Sequence, residues 1–154
     1  MSRIENRLKE LGLTLPTPAI PVANYVPYVI TGNLVFISGQ GPSGPKGLEY
    51  IGKLGKEQDI EAGRAAARLT CLNLIAQVKA ACGGDLDRVK RCVKLLGFVN
   101  ATPDFDQQPA VINGASDMLV EIFGEAGRHA RSAVSATSLP FGMSVEIEAI
   151  FEIA

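Results

Sequence analysis

The chain has a single histidine, three cysteines and no surplus of either charge. Each scarcity excludes something. Fifteen Lys and Arg stand against sixteen Asp and Glu, for a formal charge of −1. Binding a nucleic-acid backbone or an anionic membrane surface draws on clustered Lys and Arg, and no basic stripe runs along this sequence. Cys71, Cys82 and Cys92 are odd in number, sit inside apolar segments and form no CxxC pair. They read as free thiols that pack as small hydrophobes in a reducing compartment. His129 has no ligand partner at a useful spacing, so no metal site is expected. No stretch approaches the ~20 apolar residues of a membrane span, and Met1 to Gly12 is charged where a signal peptide would be apolar. A cytoplasmic protein is the expectation.

What is present suffices for one core. The 154 residues are 47% hydrophobic and 20% charged, which fits one ordered domain. No linker, repeat or low-complexity tract divides them, so a single domain over 1–154 is expected, with 1–19 as an N-terminal helical extension. Ser2 and Glu5 have capping-box spacing, Ile4, Leu8 and Leu11 share a helical face, and Gly12 suits a stop. Pro16, Pro18 and Pro21 then force an extended connection. Tyr25 to Ile30 and Leu34 to Ser38 read as strands around the turn Thr31-Gly32-Asn33, and Gly39 to Gly55 as a loop. Lys56 to Cys82 is the longest helix signal. Glu57, Asp59 and Glu61 lie near its start, and Gly83-Gly84 ends it. Val89 to Val99 reads as a strand, Pro109 to Phe123 as a second helix. Arg131 to Ser138 and Ser144 to Glu152 read as a closing hairpin around Leu139-Pro140-Phe141-Gly142. The fold class is α+β: a mixed sheet with two long helices on one face, plus a short N-terminal helix.

Two motifs imitate nucleotide sites. Gly39-Gln40-Gly41-Pro42-Ser43-Gly44 matches GxGxxG after a strand, but a dinucleotide fingerprint needs a helix to open at once. Pro45, Lys46 and Gly47 continue the loop instead. Gly47 to Leu54 resembles a phosphate loop, yet Leu54 stands where a magnesium-binding hydroxyl is required. His129 near Ser132 or Ser135 lacks a nucleophile elbow, so triad chemistry is set aside in favour of a surface or interface histidine.

The last strand alternates cleanly. Val145, Ile147, Ala149, Phe151 and Ile153 share one face; Ser144, Glu146, Glu148 and Glu152 share the other. If the apolar faces of the hairpin both align on the helices, Arg131 and Glu146 stand together on the opposite face. Ile150, Cys92, Leu96 and Phe98 would make that outer face half apolar, hence covered by another subunit. A guanidinium there can hold a carboxylate through two parallel hydrogen bonds, and a nearby carboxylate can orient or deprotonate water. A cross-strand ion pair, or two solvated charges, would fit the same pattern.

Arg131-Ser132-Ala133-Val134, Leu139-Pro140 and Val145-Glu146-Ile147-Glu148-Ala149-Ile150 together resemble the C-terminal signature of the RidA/YjgF family. Phe36-Ile37-Ser38-Gly39-Gln40 resembles its early strand and turn, and Val111-Ile112-Asn113 the motif opening its second helix. The resemblance implies a chorismate-mutase-like fold and a homotrimer with clefts between subunits. It also implies hydrolysis of reactive enamines or imines of amino-acid metabolism to a 2-oxo acid and ammonia, without metal or organic cofactor. By resemblance, Arg131 clamps the substrate carboxylate, Glu146 positions the attacking water, and Tyr25, Ser38, Asn113 and Ala133 contribute to binding. Ala133 stands where many members have a cysteine, and Asn24-Tyr25 replaces the common Pro-Tyr. The alternatives are a non-catalytic trimer that binds a small carboxylate or a protein in the same cleft, and endoribonuclease activity, which the missing basic stripe and aromatic stacking set disfavour.

Overall fold

The computed structural model describes residues 2–154. In chain order the elements are α1 (Arg3–Glu10), β1 (Tyr28–Thr31), β2 (Leu34–Gln40), β3 (Ser43–Gly44), β4 (Gly47–Leu48), α2 (Ile60–Ala81), β5 (Val89–Asn100), α3 (Gln108–Phe123), β6 (Ala130–Ala136) and β7 (Val145–Ile153). The N-terminal helix forms as its cap predicts. Ser2 Oγ accepts from the Glu5 N–H at 3.1 Å, Ile4 and Leu8 enter the core, and the Asp87 carboxylate accepts from the N–H groups of Arg3 and Ile4, both at 2.9 Å.

α2 starts later than its acidic run suggests. Asp59 is the cap, accepting from the Ala62 N–H at 2.8 Å. The Glu57 carboxylate turns back to the Lys53 N–H at 3.0 Å, which holds the preceding residues in a turn. The helix ends where Gly83 and Gly84 take φ of +66° and +96°, values that only glycine adopts freely. Its buried stripe includes Ala67, Cys71, Leu74, Ile75 and Val78.

The five-stranded sheet has the order β1-β2-β7-β5-β6. Only β5 and β6 are parallel; β7 lies between β2 and β5, antiparallel to both. The expected hairpin of the last two strands therefore does not form. β5, α3 and β6 make a crossover unit, which returns β6 parallel to β5 on its far side. β7 then inserts on the other side of β5, next to β2. β6 is left at the edge.

Both long helices pack on one face of this sheet. That face supplies Val35, Leu95, Val99, Val145, Ile147 and Phe151, each with no exposed surface. α3 approaches β5 closely: a Cβ added at Gly97 would meet Ile112 Cδ1 at 2.6 Å. The opposite face is open. It carries Leu96, Phe98 and Ile150, half-buried, together with Val29, Phe36 and Val134, exposed by 53%, 41% and 43%. Cys92 is not among them. It pairs with Phe151 ahead of an irregularity in β5 and faces the helices. All three cysteines are free and buried; burial pushes the Cys92 thiol up to about 12, so it stays protonated and inert. Among the described residues no helix is long and apolar enough to cross a membrane.

Candidate functional site

The residues singled out from the sequence fall into two groups, on opposite faces of the sheet. The first group surrounds a cavity of about 370 Å³ between the extended segment 19–27, the end of β2 and the turn before β7. Tyr25, Ser38 and Glu146 line it, alongside Ile20, Leu48, Phe141 and Met143. Tyr25 precedes the first strand, which starts only at Tyr28, because Pro27 has no N–H to give a ladder. Ser38 pins that segment. Its hydroxyl donates to Val26 O at 2.8 Å and its N–H to Pro27 O at 2.9 Å.

Glu146 owes its setting to an irregularity. Ile37 pairs with Ala149 but Gln40 pairs with Ile147, so one extra residue bulges from β2. The bulge brings Gly39 against the Glu146 carboxylate, where an added Cβ would meet Oε2 at 2.6 Å. Desolvation raises the Glu146 pKa above the ordinary carboxylate range, and the charge of Glu148 adds to the effect. A half-buried carboxyl whose pKa is raised is a stronger proton acceptor than an ordinary carboxylate.

The second group lines a cavity of about 250 Å³ beside α3, formed in part by Asn113, Ser116, Arg128, His129 and Arg131. Arg131 lies opposite Leu95 in the β5–β6 register, so its side chain leaves the sheet on the helix face. There Nη1 donates to Ser116 Oγ at 3.1 Å and Nη2 to Pro109 O at 3.4 Å. Ala133, two residues on and opposite Gly97, is half-buried against the core on the same face.

The expectation that Arg131 and Glu146 share a face is therefore corrected. Glu146 pairs with Phe98 on the open face, and Arg131 with Leu95 on the helix face. Residues Arg131, Ala133 and Ser135 are small or polar, so apolar alternation could not reveal which way β6 faces. Register with β5 decides it.

Sequence reasoning also missed two features. Phe141 sits at the mouth of the first cavity, 84% exposed, at a φ of +58° that non-glycine residues seldom adopt. His129 is not a bystander: its Nε2 is 2.9 Å from Ser116 Oγ and its Nδ1 is 2.7 Å from Gly127 O. Burial lowers the His129 pKa, a bond to the Gly127 carbonyl opposes this, and the Arg131 charge lowers it further. The period of two that aligns residues 129 and 131 was the available signal. The two nucleotide imitations dissolve locally. Gly39 to Gly44 run from the end of β2 into the β3–β4 hairpin, and the next helix begins at Ile60. Among the described residues no cluster of His, Cys, Asp and Glu is arranged to hold a metal ion.

A mixed sheet backed by two helices, with an open half-apolar face and these cavities, defines a chorismate-mutase-like α+β protein. Comparison with known proteins makes this specific. Residues 5–151 match the family described as "YjgF/chorismate mutase-like, putative endoribonuclease", and the chain belongs to this RidA/YjgF family. Protein TCP17 of Trypanosoma cruzi is 47% identical over 152 residues, covering 98% of this chain and 94% of that protein. The crystal structure of Atu1372 from Agrobacterium tumefaciens, a protein of unknown function, is 50% identical with a TM-score of 0.92, covering 98% of this chain and 92% of that one. The structure of TdcF from E. coli with bound serine is 27% identical with a TM-score of 0.61, covering 90% and 93%.

Proposed function

We propose that the protein hydrolyses small enamines or imines bearing a carboxylate, giving a 2-oxo acid and ammonia, in clefts that each join the two cavities of neighbouring subunits of a homotrimer. The observation that carries this is the separation of the two groups. One cavity offers a carboxylate with a raised pKa. The other offers a guanidinium that, among the described residues, has no carboxylate within ion-pair distance. Opposite faces of one sheet cannot grip one small substrate, so the halves meet only if a second copy brings its own. The half-apolar open face supplies a reason for copies to associate. TdcF holding serine, a small carboxylate-bearing molecule, is consistent with the ligand class.

In such a cleft Arg131 takes the substrate carboxylate through paired, charge-assisted hydrogen bonds. An enamine first becomes the imine as its terminal carbon gains a proton and its nitrogen loses one. The water oxygen then bonds to the imine carbon as Glu146 accepts a proton from that water, and Glu146 passes this proton to the nitrogen to give a carbinolamine. That adduct loses ammonia, and the C=O bond of the 2-oxo acid forms as the C–N bond breaks. Ile20, Leu48, Phe141 and Met143 would face the substrate side chain and keep bulk water from the reacting carbon. Ammonia and 2-oxo-acid release from freshly generated 2-aminoacrylate, and from analogues with bulkier side chains, tests the proposal. Rates equal to those in buffer for every analogue would rule out the hydrolysis.

A further inference from the structure

We propose that His129, acting through Ser116, is a positioning residue that fixes the Arg131 guanidinium for carboxylate capture. This rests on the role given to Arg131 above and extends it to two residues with no part in that chemistry. The donor sense of each link follows from the atoms. Gly127 O can only accept, so His129 Nδ1, 2.7 Å away, carries the ring proton. Nε2 of the neutral ring is then a bare acceptor, and the Ser116 hydroxyl at 2.9 Å must donate to it. With its hydrogen committed, Ser116 Oγ presents lone pairs alone. A guanidinium can only donate, and Arg131 Nη1 lies 3.1 Å from that oxygen. Every link donates in the same direction, from the guanidinium toward the Gly127 carbonyl.

The rest of the arginine is loosely held. Its other tether, to Pro109 O, is 3.4 Å long, so the serine contact sets the plane of the fork. A serine within a helix, freed from such a partner, turns its hydroxyl toward the carbonyl one turn back, and Arg131 would then share a rotating acceptor. The surrounding charges favour the neutral ring that the relay requires. Arg131 on β6 and Arg128 on the preceding turn both border this cavity. Arg128 is bound to Glu125 at 3.2 Å, and Asp117 on α3 reaches Arg64 at 4.0 Å. A protonated imidazole would stand beside the Arg131 cation, with the nearby carboxylates already engaged.

The test uses the full chain, with 2-oxobutanoate as the carboxylate probe in calorimetry at pH 7.5. Ring nitrogen–proton NMR is informative because the chain has one histidine, whose signals need no assignment. The parent should show a single neutral tautomer with the proton on Nδ1. Ser116→Ala and His129→Asn should each weaken binding about 5-fold, the scale of one ordinary net hydrogen bond and less than the loss of a direct charge-assisted contact to the ligand. Asn is too short to reach the serine. His129→Gln places an oxygen near the Nε2 position and should recover binding to within about 2-fold of the parent, a rescue that general packing would not give. Arg131→Lys should lose about 10-fold or more, because it keeps charge but not the fork. If Arg131→Lys binds like the parent, the clamp itself is wrong and this inference falls with it. If Arg131→Lys loses binding while Ser116→Ala and His129→Asn do not, or the ring proton sits on Nε2, the clamp stands and the positioning role is overturned.

Discussion

The two faces of the central sheet are built from the same alternating strands, yet one is finished and the other is not. Val35 and Phe151 face each other across β2 and β7 and are fully buried under the helices. One residue along, Phe36 and Ile150 form the next pair on the open face, where Phe36 is 41% exposed. Aromatic and aliphatic side chains thus sit on both sides, but among the described residues the helices cover only one of them. The helix face makes the domain. The open face, together with the cavities at its margins, is where a second copy would complete it.

Four experiments press on that contrast. The largest effect is expected on the finished side: Phe151→Ala should cost about 3–5 kcal/mol of unfolding free energy, read by urea denaturation, because a filled core position becomes a cavity. On the open side, Phe36→Glu should leave the circular dichroism of the fold intact while changing its assembly. The parent should scatter light as about three times the 16.3 kDa chain mass. The variant should fall toward one. A parent that is a stable monomer would remove the shared cleft. Mixing then asks whether the halves belong to different copies. Arg131→Lys and Glu146→Gln chains, each strongly impaired alone, should rise to roughly a quarter of parental hydrolysis when refolded together in equal amounts, because random trimers rebuild that share of intact clefts. No recovery in confirmed mixed trimers would put both residues in one subunit's site.

The smallest effect concerns Glu146 and stability. Its folded pKa is raised, first by desolvation and then by Glu148, so its contribution is fully present below the unfolded pKa and is lost as pH rises through the folded one. Glu146→Gln should therefore shift the urea midpoint slightly upward at pH 7, and the gain should vanish in acid below the ordinary carboxylate range. Hydrolysis by the parent should fall over the same acid limb, since a protonated Glu146 cannot take a proton from water.

Much of this was legible in the chain. Val145 to Ile153 alternates so cleanly that its two faces follow from the residues alone, and Gly83-Gly84 marks a helix end to within two residues. What escaped was relational. Nothing between Arg131 and Ile153 shows that β5 must come between the two strands; that follows from α3 being a crossover, a property of the whole β5–α3–β6 unit. With small and polar residues on both sides of β6, its orientation was set by Leu95, thirty-six positions upstream of Arg131. The Ser116–His129 contact hid for the same reason. Each residue is unremarkable where it stands, and only helix-on-sheet packing joins them.

The bulge in β2 has a consequence for how such sequences are searched. Gly39 is bare because the Glu146 carboxylate occupies the room a side chain would need, and Gly41 because Met143 Sδ would lie 2.5 Å from its Cβ. Gly44 faces the tip of an exposed Glu49 side chain, which can swing aside. The spacing that imitates a dinucleotide fingerprint thus records two crowded approaches, one from the segment leading into β7 and one from the start of β7 itself, plus a turn. A glycine pattern marks where a backbone has company. Whether that company is a phosphate or the protein's own side chains is written elsewhere in the chain, here at positions 143 and 146.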